Sequence, residues 1–217
     1  MKKKTLKRII FGLFILLFLF VLGLVLFYEV NFIDENIYKI ISKLINDTNT
    51  MFFKIFTFLG STLAIVSLCI MALIFFKKYG FYVCLNAILA VSVSQTLKFL
   101  VKRVRPSDIN IIEETGFSFP SGHSMVSAAF YGLIIYFVYK SKLNKSTKIV
   151  AITVLTTIIF LIGISRIYLG VHYATDVIAG FSLATIHLFL FVELIYKNKL
   201  NLDFLKKLKW VILCKMN

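Results

Sequence analysis

Charge is scarce in this sequence. Of 217 residues only 16% are Asp, Glu, Lys or Arg, while 59% are hydrophobic and the mean hydropathy is +0.90. So few charges cannot cover a soluble globule of this length, and a water-soluble domain is excluded. Cysteine is equally sparse. Cys69, Cys84 and Cys214 form an odd, scattered trio, which argues against a disulfide framework and against a cysteine metal cluster. No internal repeat and no low-complexity linker interrupts the chain, so residues 1–217 are expected to form one membrane-embedded domain. Proline and histidine are few: Pro106 and Pro120, and His123, His172 and His187. One of each falls in the six-residue stretch Phe-Pro-Ser-Gly-His-Ser at 119–124.

What the chain does contain is six long runs without a single charge, at 9–28, 55–76, 81–97, 124–139, 149–165 and 177–192. A spanning helix takes ~20 mostly apolar residues, with ~17 to 25 tolerated. The expectation is an all-α bundle of six transmembrane spans. The first run has the basic start of a secretion signal (Lys2, Lys3, Lys4, Lys7, Arg8). It is too long for one, however, and ends in Phe27-Tyr28-Glu29-Val30 with no small-residue cleavage pattern, so it is expected to stay as an anchor.

The net charge of +15 is distributed unevenly. With six spans, 17 of the 25 lysines and arginines fall on the side of the two termini and eight on the other, where eight of the ten acidic residues also lie. Positive charge favours the cytoplasm, so both termini are expected on the cytoplasmic side of the cell membrane. The basic excess is therefore a topology signal, and no nucleic-acid partner is expected. Two flanking segments are amphipathic. Residues 33–45 carry Ile33, Ile37, Ile40, Ile41, Leu44 and Ile45 at helical spacing, and the tail carries Phe204, Leu205, Leu208, Val211 and Ile212 among lysines. Each reads equally as a helix lying on the membrane surface or as a plain connector.

Polar groups collect at the outer ends of spans three to six. Span three ends in Lys-Phe-Leu-Val-Lys-Arg-Val-Arg-Pro, where Lys98 and Arg105 are seven residues apart, about two helical turns, before Pro106 stops the helix. Span four begins at Pro120-Ser121-Gly122-His123, with serine as cap. Span five ends at Arg166, with His172 and Asp176 following. Lys102 and Arg103 read as ordinary rim anchors. The last four apolar runs are slightly short, so the charges at their ends sit near the headgroup level and turn inward to share a polar cavity.

Three cations (Lys98, Arg105, Arg166) beside the free N–H groups of Ser121, Gly122 and His123 make a site suited to phosphate. Two histidines at a phosphate point to covalent phosphoryl transfer. Asp176 fixes the tautomer of His172 as nucleophile, and His123 serves as general acid and then base. His187, mid-span, is expected to make an interhelical hydrogen bond.

Residues 98–106, 120–123 and 165–176 match, without gap or substitution, the three-part pattern K-x6-R-P, P-S-G-H and S-R-x5-H-x3-D. In these residues the sequence resembles the type 2 phosphatidic acid phosphatase superfamily of integral membrane lipid phosphatases. The resemblance implies a phosphatase needing no metal or other cofactor, with a phosphohistidine on His172. It implies Asp176 as orienting acid, His123 as leaving-group acid, and Lys98, Arg105, Ser121, Gly122 and Arg166 as phosphate ligands. It also implies a phosphorylated membrane lipid as substrate and a site facing the extracytoplasmic side. The chain's compactness directs the expectation to undecaprenyl diphosphate, with phosphatidylglycerol phosphate and phosphatidate as alternatives. Transfer of the phosphoryl group to another lipid or sugar also lies within the family's chemistry. Outside it stand a small transporter, disfavoured because the charges gather at one rim, and a hydrolase with a metal held by His123, His172 and Asp176. Three neighbouring cations oppose the latter.

Overall fold

The structure, a computed structural model, describes residues 2–197 except 29 and 108; the expected amphipathic tail lies outside the described residues. Eight α-helices follow in order: α1 (Lys2–Phe27), α2 (Phe32–Ile41, extended by a 3-10 turn at Ser42–Leu44), α3 (Asp47–Leu59), α4 (Thr62–Phe76), α5 (Lys78–Val101), α6 (Gly122–Lys140), α7 (Lys145–Tyr168) and α8 (Ala174–Lys197). There are no strands among the described residues. Five helices (α1, α5, α6, α7, α8) are each long and apolar enough to cross a membrane. The sixth expected span is a bent pair. α3 and α4 meet at 48° around Gly60-Ser61, where the sequence run 55–76 predicts one unbroken helix. The break has a local cause: the Ser61 hydroxyl caps α4 by accepting from Ala64 N at 3.3 Å.

α6 lies at the centre, packed by α5, α7 and α8, while α1 runs along α8 and α3 along α7. Ala90, Met125, Ala129 and Ala184 are fully buried where α5, α6 and α8 meet. Small side chains at that crossing let the backbones approach, which is how helices gain packing energy in lipid. A second cluster of Ile65, Val83, Phe130, Leu133, Ile162 and Phe191 fills the space between α4, α5, α6, α7 and α8. The exposed Leu, Ile and Phe side chains of α1, α4 and α5 are the surface that a bilayer covers.

His187 meets the sequence expectation. Its Nε2 lies 3.0 Å from Asn86 Oδ1, and Asn86 Nδ2 donates to Ala129 O at 2.7 Å, which ties α8, α5 and α6 together inside the bundle. The segment 33–45 is helical at 32–41. Asn31 caps it by accepting from Ile33 N and Asp34 N, and Asp34 and Ile41 form its buried edge. α1 and α8 run in opposite directions: Phe11 stacks on Phe189 at 4.5 Å, whereas Phe18 and Val21 reach Phe119 beside the start of α6. The starts of α1 and the end of α8 therefore lie away from the end where α5 stops and α6 begins.

Candidate active site

α5 does not continue to Pro106. It stops at Val101, and Lys102 takes a left-handed conformation (φ 53°) whose N–H still reaches Lys98 O at 2.9 Å. Proline also disfavours helix at the residue before it, so the chain leaves the helix early. Lys98 and Arg105 consequently do not share a helix face. They converge because the chain after α5 folds back over the end of the bundle, and these two cations hold residues 115–118 there. Lys98 Nζ donates to Phe117 O (2.5 Å) and Ser118 O (3.2 Å). Arg105 donates from Nε to Gly116 O (3.0 Å), from Nη2 to Thr115 O (3.1 Å) and from Nη1 to Val171 O (2.8 Å). An ammonium has three donors, so one N–H of Lys98 remains for a ligand.

His172 occupies the turn between α7 and α8. Gly170 makes that turn with φ +70°, and a side chain there would collide with the backbone at Ile109. The imidazole is 3% exposed. Its Nδ1 lies 3.3 Å from Asp176 Oδ2, and its Nε2 lies 3.1 Å from Arg105 Nη1. An arginine N–H can only donate, so Nε2 is the accepting nitrogen and Nδ1 carries the proton toward Asp176. Burial pushes the His172 imidazole down to about 3; Asp176 opposes this, and Arg166 and Arg105 add to it. The ring is therefore neutral at ordinary pH. Arg105 is likewise lowered from the usual guanidinium range by burial, with Glu114 and Asp176 opposing.

Asp176, fully buried in the first turn of α8, is fixed from several directions. Its Oδ2 accepts from the Ser118 hydroxyl and from Tyr173 N (2.9 Å), and its Oδ1 accepts from Arg103 Nη1 (2.8 Å). Arg103 thus departs from the rim-anchor expectation: it is 5% exposed and paired with carboxylates, because the chain after Lys102 turns inward.

α6 starts at Gly122 with Ser121 as cap, as its sequence predicts. The Ser121 hydroxyl accepts from Ser124 Oγ (2.9 Å), which leaves its own O–H to donate. Its backbone N–H is not free, however. It donates to Asp176 O at 3.0 Å, so Gly122 and His123 supply the open N–H groups at this helix start. The His123 imidazole lies within electrostatic reach of Arg166, His172, Arg105 and Lys98. It also rests against Gly60, where an added Cβ would stand 3.3 Å from its Cδ2 and 2.6 Å from Ile162 Cγ2. Arg166, 1% exposed, donates from Nη1 to Thr57 Oγ1 and from Nη2 to Glu114 Oε1, both at 2.5 Å, while its buried Nε has no hydrogen-bond partner.

All eight residues marked by the sequence thus gather at one end of the bundle. Sequence reasoning missed Arg103, Asp34, Ser118, Thr57 and Glu114. For Asp34 a signal existed: it shares a helical face with Ile37 and Ile41, where an apolar residue is expected. Asp176 is committed to Arg103, Ser118 and Tyr173, and no three His, Cys, Asp or Glu side chains among the described residues come together as metal ligands. An apolar cavity of about 620 Å³, lined by Phe75, Tyr79, Phe130, Tyr131 and Phe137 with Lys140 at its rim, lies toward the opposite end and has none of this chemistry.

Residues 78–200 match the PAP2 superfamily. The chain belongs to that family. It is 48% identical over 99 residues to phosphatidylglycerophosphatase B of Bacillus subtilis (strain 168), covering 45% of this chain and 48% of that protein. It is 27% identical over 124 residues to an undecaprenyl-diphosphatase of Sulfolobus acidocaldarius, covering 54% and 56%. The chain thus spans about half the length of these curated relatives. Its structure is similar to the crystal structure of a transmembrane PAP2-type phosphatidylglycerolphosphate phosphatase from Bacillus subtilis, with TM-score 0.77 and 31% identity over 86% of this chain and 96% of that one. The PAP2 match starts at the first residue of α5 and includes the whole set from Lys98 to Asp176.

Proposed function

We propose that this PAP2 protein removes the terminal phosphate of a membrane lipid through a phosphohistidine on His172. One observation carries the reading: the buried His172 imidazole, with Nδ1 toward Asp176 and Nε2 toward Arg105, lies within electrostatic reach of His123 at the start of α6, as do Lys98, Arg105 and Arg166. In the first step Nε2 of His172 attacks phosphorus, and the bond to the lipid oxygen breaks. His123 gives that oxygen its proton. Asp176 stabilises the cationic phosphohistidine by accepting from Nδ1–H. In the second step water attacks phosphorus, His123 takes the water's proton, and the N–P bond breaks to release inorganic phosphate.

Lys98, Arg105 and Arg166, with the Ser121 hydroxyl and the N–H of Gly122, hold the equatorial oxygens as their charge develops. Arg105 lies on the attacking lone pair of His172, so it turns from Nε2 to a phosphate oxygen when substrate enters. The charge asymmetry of the chain supports a site on the extracytoplasmic side of the cell membrane, at the outer leaflet.

Two lipid substrates have support. The similarity to phosphatidylglycerophosphate phosphatases, in sequence and in structure, favours phosphatidylglycerol phosphate. The more distant relative supports undecaprenyl diphosphate, the substrate expected from compactness. We rank phosphatidylglycerol phosphate first. The test is phosphate release from both lipids by the purified chain in detergent, with chelator present. Release from either, abolished in His172→Ala, is expected. Full turnover in that variant, or release only after a divalent metal is added, overturns the mechanism. A phosphorylated acceptor in place of inorganic phosphate would make the protein a transferase.

A further inference from the structure

Arg103 bridges two buried carboxylates. Its Nη1 donates to Asp176 Oδ1 at 2.8 Å and to Thr175 Oγ1 at 2.8 Å, and its Nη2 donates to Asp34 Oδ2 at 2.7 Å. Asp34 is itself fixed. Thr175 N donates to its Oδ1 at 2.8 Å and Asn31 Nδ2 donates to its Oδ2 at 2.9 Å. The guanidinium also lies 4.0 Å from the centre of the Tyr173 ring. Three segments distant in sequence therefore meet on one planar group: the start of α2, the chain just after α5, and the first turn of α8.

The geometry reaches His172 through Asp176. A carboxylate is planar, so fixing Oδ1 fixes the direction in which Oδ2 accepts from the imidazole. Ser118 and Tyr173 N also donate to Oδ2, but both share that oxygen with His172 and leave the carboxylate free to rock about it. Arg103 on Oδ1 removes the rocking, and a guanidinium does this with little loss of further freedom because its fork is rigid. Arg103 needs an anchor of its own. Asp34 supplies it from α2, which the two carboxylates and Thr175 pin to the start of α8.

We propose that Arg103 is a positioning residue for His172, acting through Asp176, and that Asp34 on α2 is an anchor that helps hold Arg103 in place. The inference rests on His172 being the nucleophile. Arg103 lies at an unspecified position of the K-x6-R-P pattern, so this is a property of this chain's own residues. It also makes α2 a pinned strap over the active-site end.

The test uses the full chain in detergent with phosphatidylglycerol phosphate or undecaprenyl diphosphate, whichever is turned over. In Arg103→Ala and in the nearly isosteric Asp34→Asn, kcat is expected to fall roughly ten- to a hundredfold, since a misaimed group costs on that order. KM is expected to move less than about threefold, because Lys98, Arg105 and Arg166 still hold the phosphate. Arg103→Lys reaches one carboxylate at a time and should be intermediate, and added guanidinium ion should restore part of the activity of Arg103→Ala. In ¹⁵N spectra of labelled histidine, the single Nδ1–H tautomer of His172 should become mixed in Asp34→Asn.

If Arg103→Ala does not fold, Asp34→Asn and Arg103→Lys decide the matter by the same split. Unchanged kcat in both overturns the proposal. So does a rise in KM alone, which would make Arg103 a phosphate ligand, and so does a loss of folded protein whose surviving molecules turn over at the parent rate. Activity retained in His172→Ala is a separate result: it overturns the nucleophile assignment, and the positioning role with it, whatever the Arg103 and Asp34 variants do.

Discussion

Arg166 donates from Nη2 to Glu114 Oε1 while its Nε, equally buried, has no hydrogen-bond partner. A cation proposed to bind phosphate is thus partly neutralised by a carboxylate from the 102–121 segment. Glu114 is 29% exposed at its side chain, so it can leave at moderate cost when an anion arrives.

Replacing Glu114 by Gln keeps a hydrogen-bond acceptor and removes the competing charge. Inorganic phosphate, as product, should then inhibit more strongly, with its inhibition constant lower by roughly three- to tenfold, the scale of one partly screened charge-assisted contact. Inhibition constants measured side by side in the two proteins check this. An unchanged or higher constant in Glu114→Gln would mean that Glu114 supports the site and does not compete for it.

Gly60 is where the bend of the second span touches the chemistry. A Cβ at this position would press on Ile162 and approach the His123 ring at 3.3 Å. Gly60→Ala should displace His123 from the leaving oxygen and lower kcat roughly tenfold, with little change in phosphate affinity. A substrate with a better leaving group needs less protonation and should lose less. Equal losses for good and poor leaving groups would place the damage in folding or binding and not in His123.

Much of this could be read from the sequence, and the parts that could not have a common cause. The runs 9–28, 81–97 and 177–192 are legible because lipid demands long uncharged helices, and Lys98, His123, Arg166, His172 and Asp176 are legible because their spacing is fixed within short segments. The role of Gly60 is hidden because, although the Ser61 cap at the bend is local, the close approach of Gly60 to Ile162 and His123 joins residues far apart in the sequence. The inward pairing of Arg103 is hidden for the same reason. Whether a rim arginine faces water or a buried carboxylate depends on where Asp34, 69 residues earlier, is placed. Residues 115–118 have no periodicity to read, since their carbonyls accept from the side chains of Lys98 and Arg105 and not from a helix of their own.

Asn86 and His187 offer a control remote from the site. Their hydrogen bond crosses from α5 to α8 in the apolar interior, where water cannot replace it. Removing it in His187→Leu should cost about 0.6 to 1.7 kcal/mol, the range for interhelical hydrogen bonds in membrane proteins, and lower the thermal midpoint in detergent. kcat should change less than about twofold. A large loss of turnover at unchanged stability would assign His187 a part in the reaction.

His172 is lowered to about 3 chiefly by burial, against an ordinary value of 6.5, so the folded protein keeps this ring neutral while an unfolded chain would protonate it. Between those two values the unfolded state binds more protons, and stability from this group rises with pH. It is fully present above about pH 6.5 and is lost as pH falls toward 3. The same shift means that the proposed nucleophile is neutral throughout the neutral range. An acid limb in kcat/KM near pH 6 must therefore come from another group or from the substrate phosphate. The ¹⁵N shifts of His172 in the substrate-free protein should stay those of a neutral ring from pH 8 down to about pH 5. A midpoint near 6.5 would show an imidazole open to water, which the buried geometry around Asp176 and Arg105 does not permit.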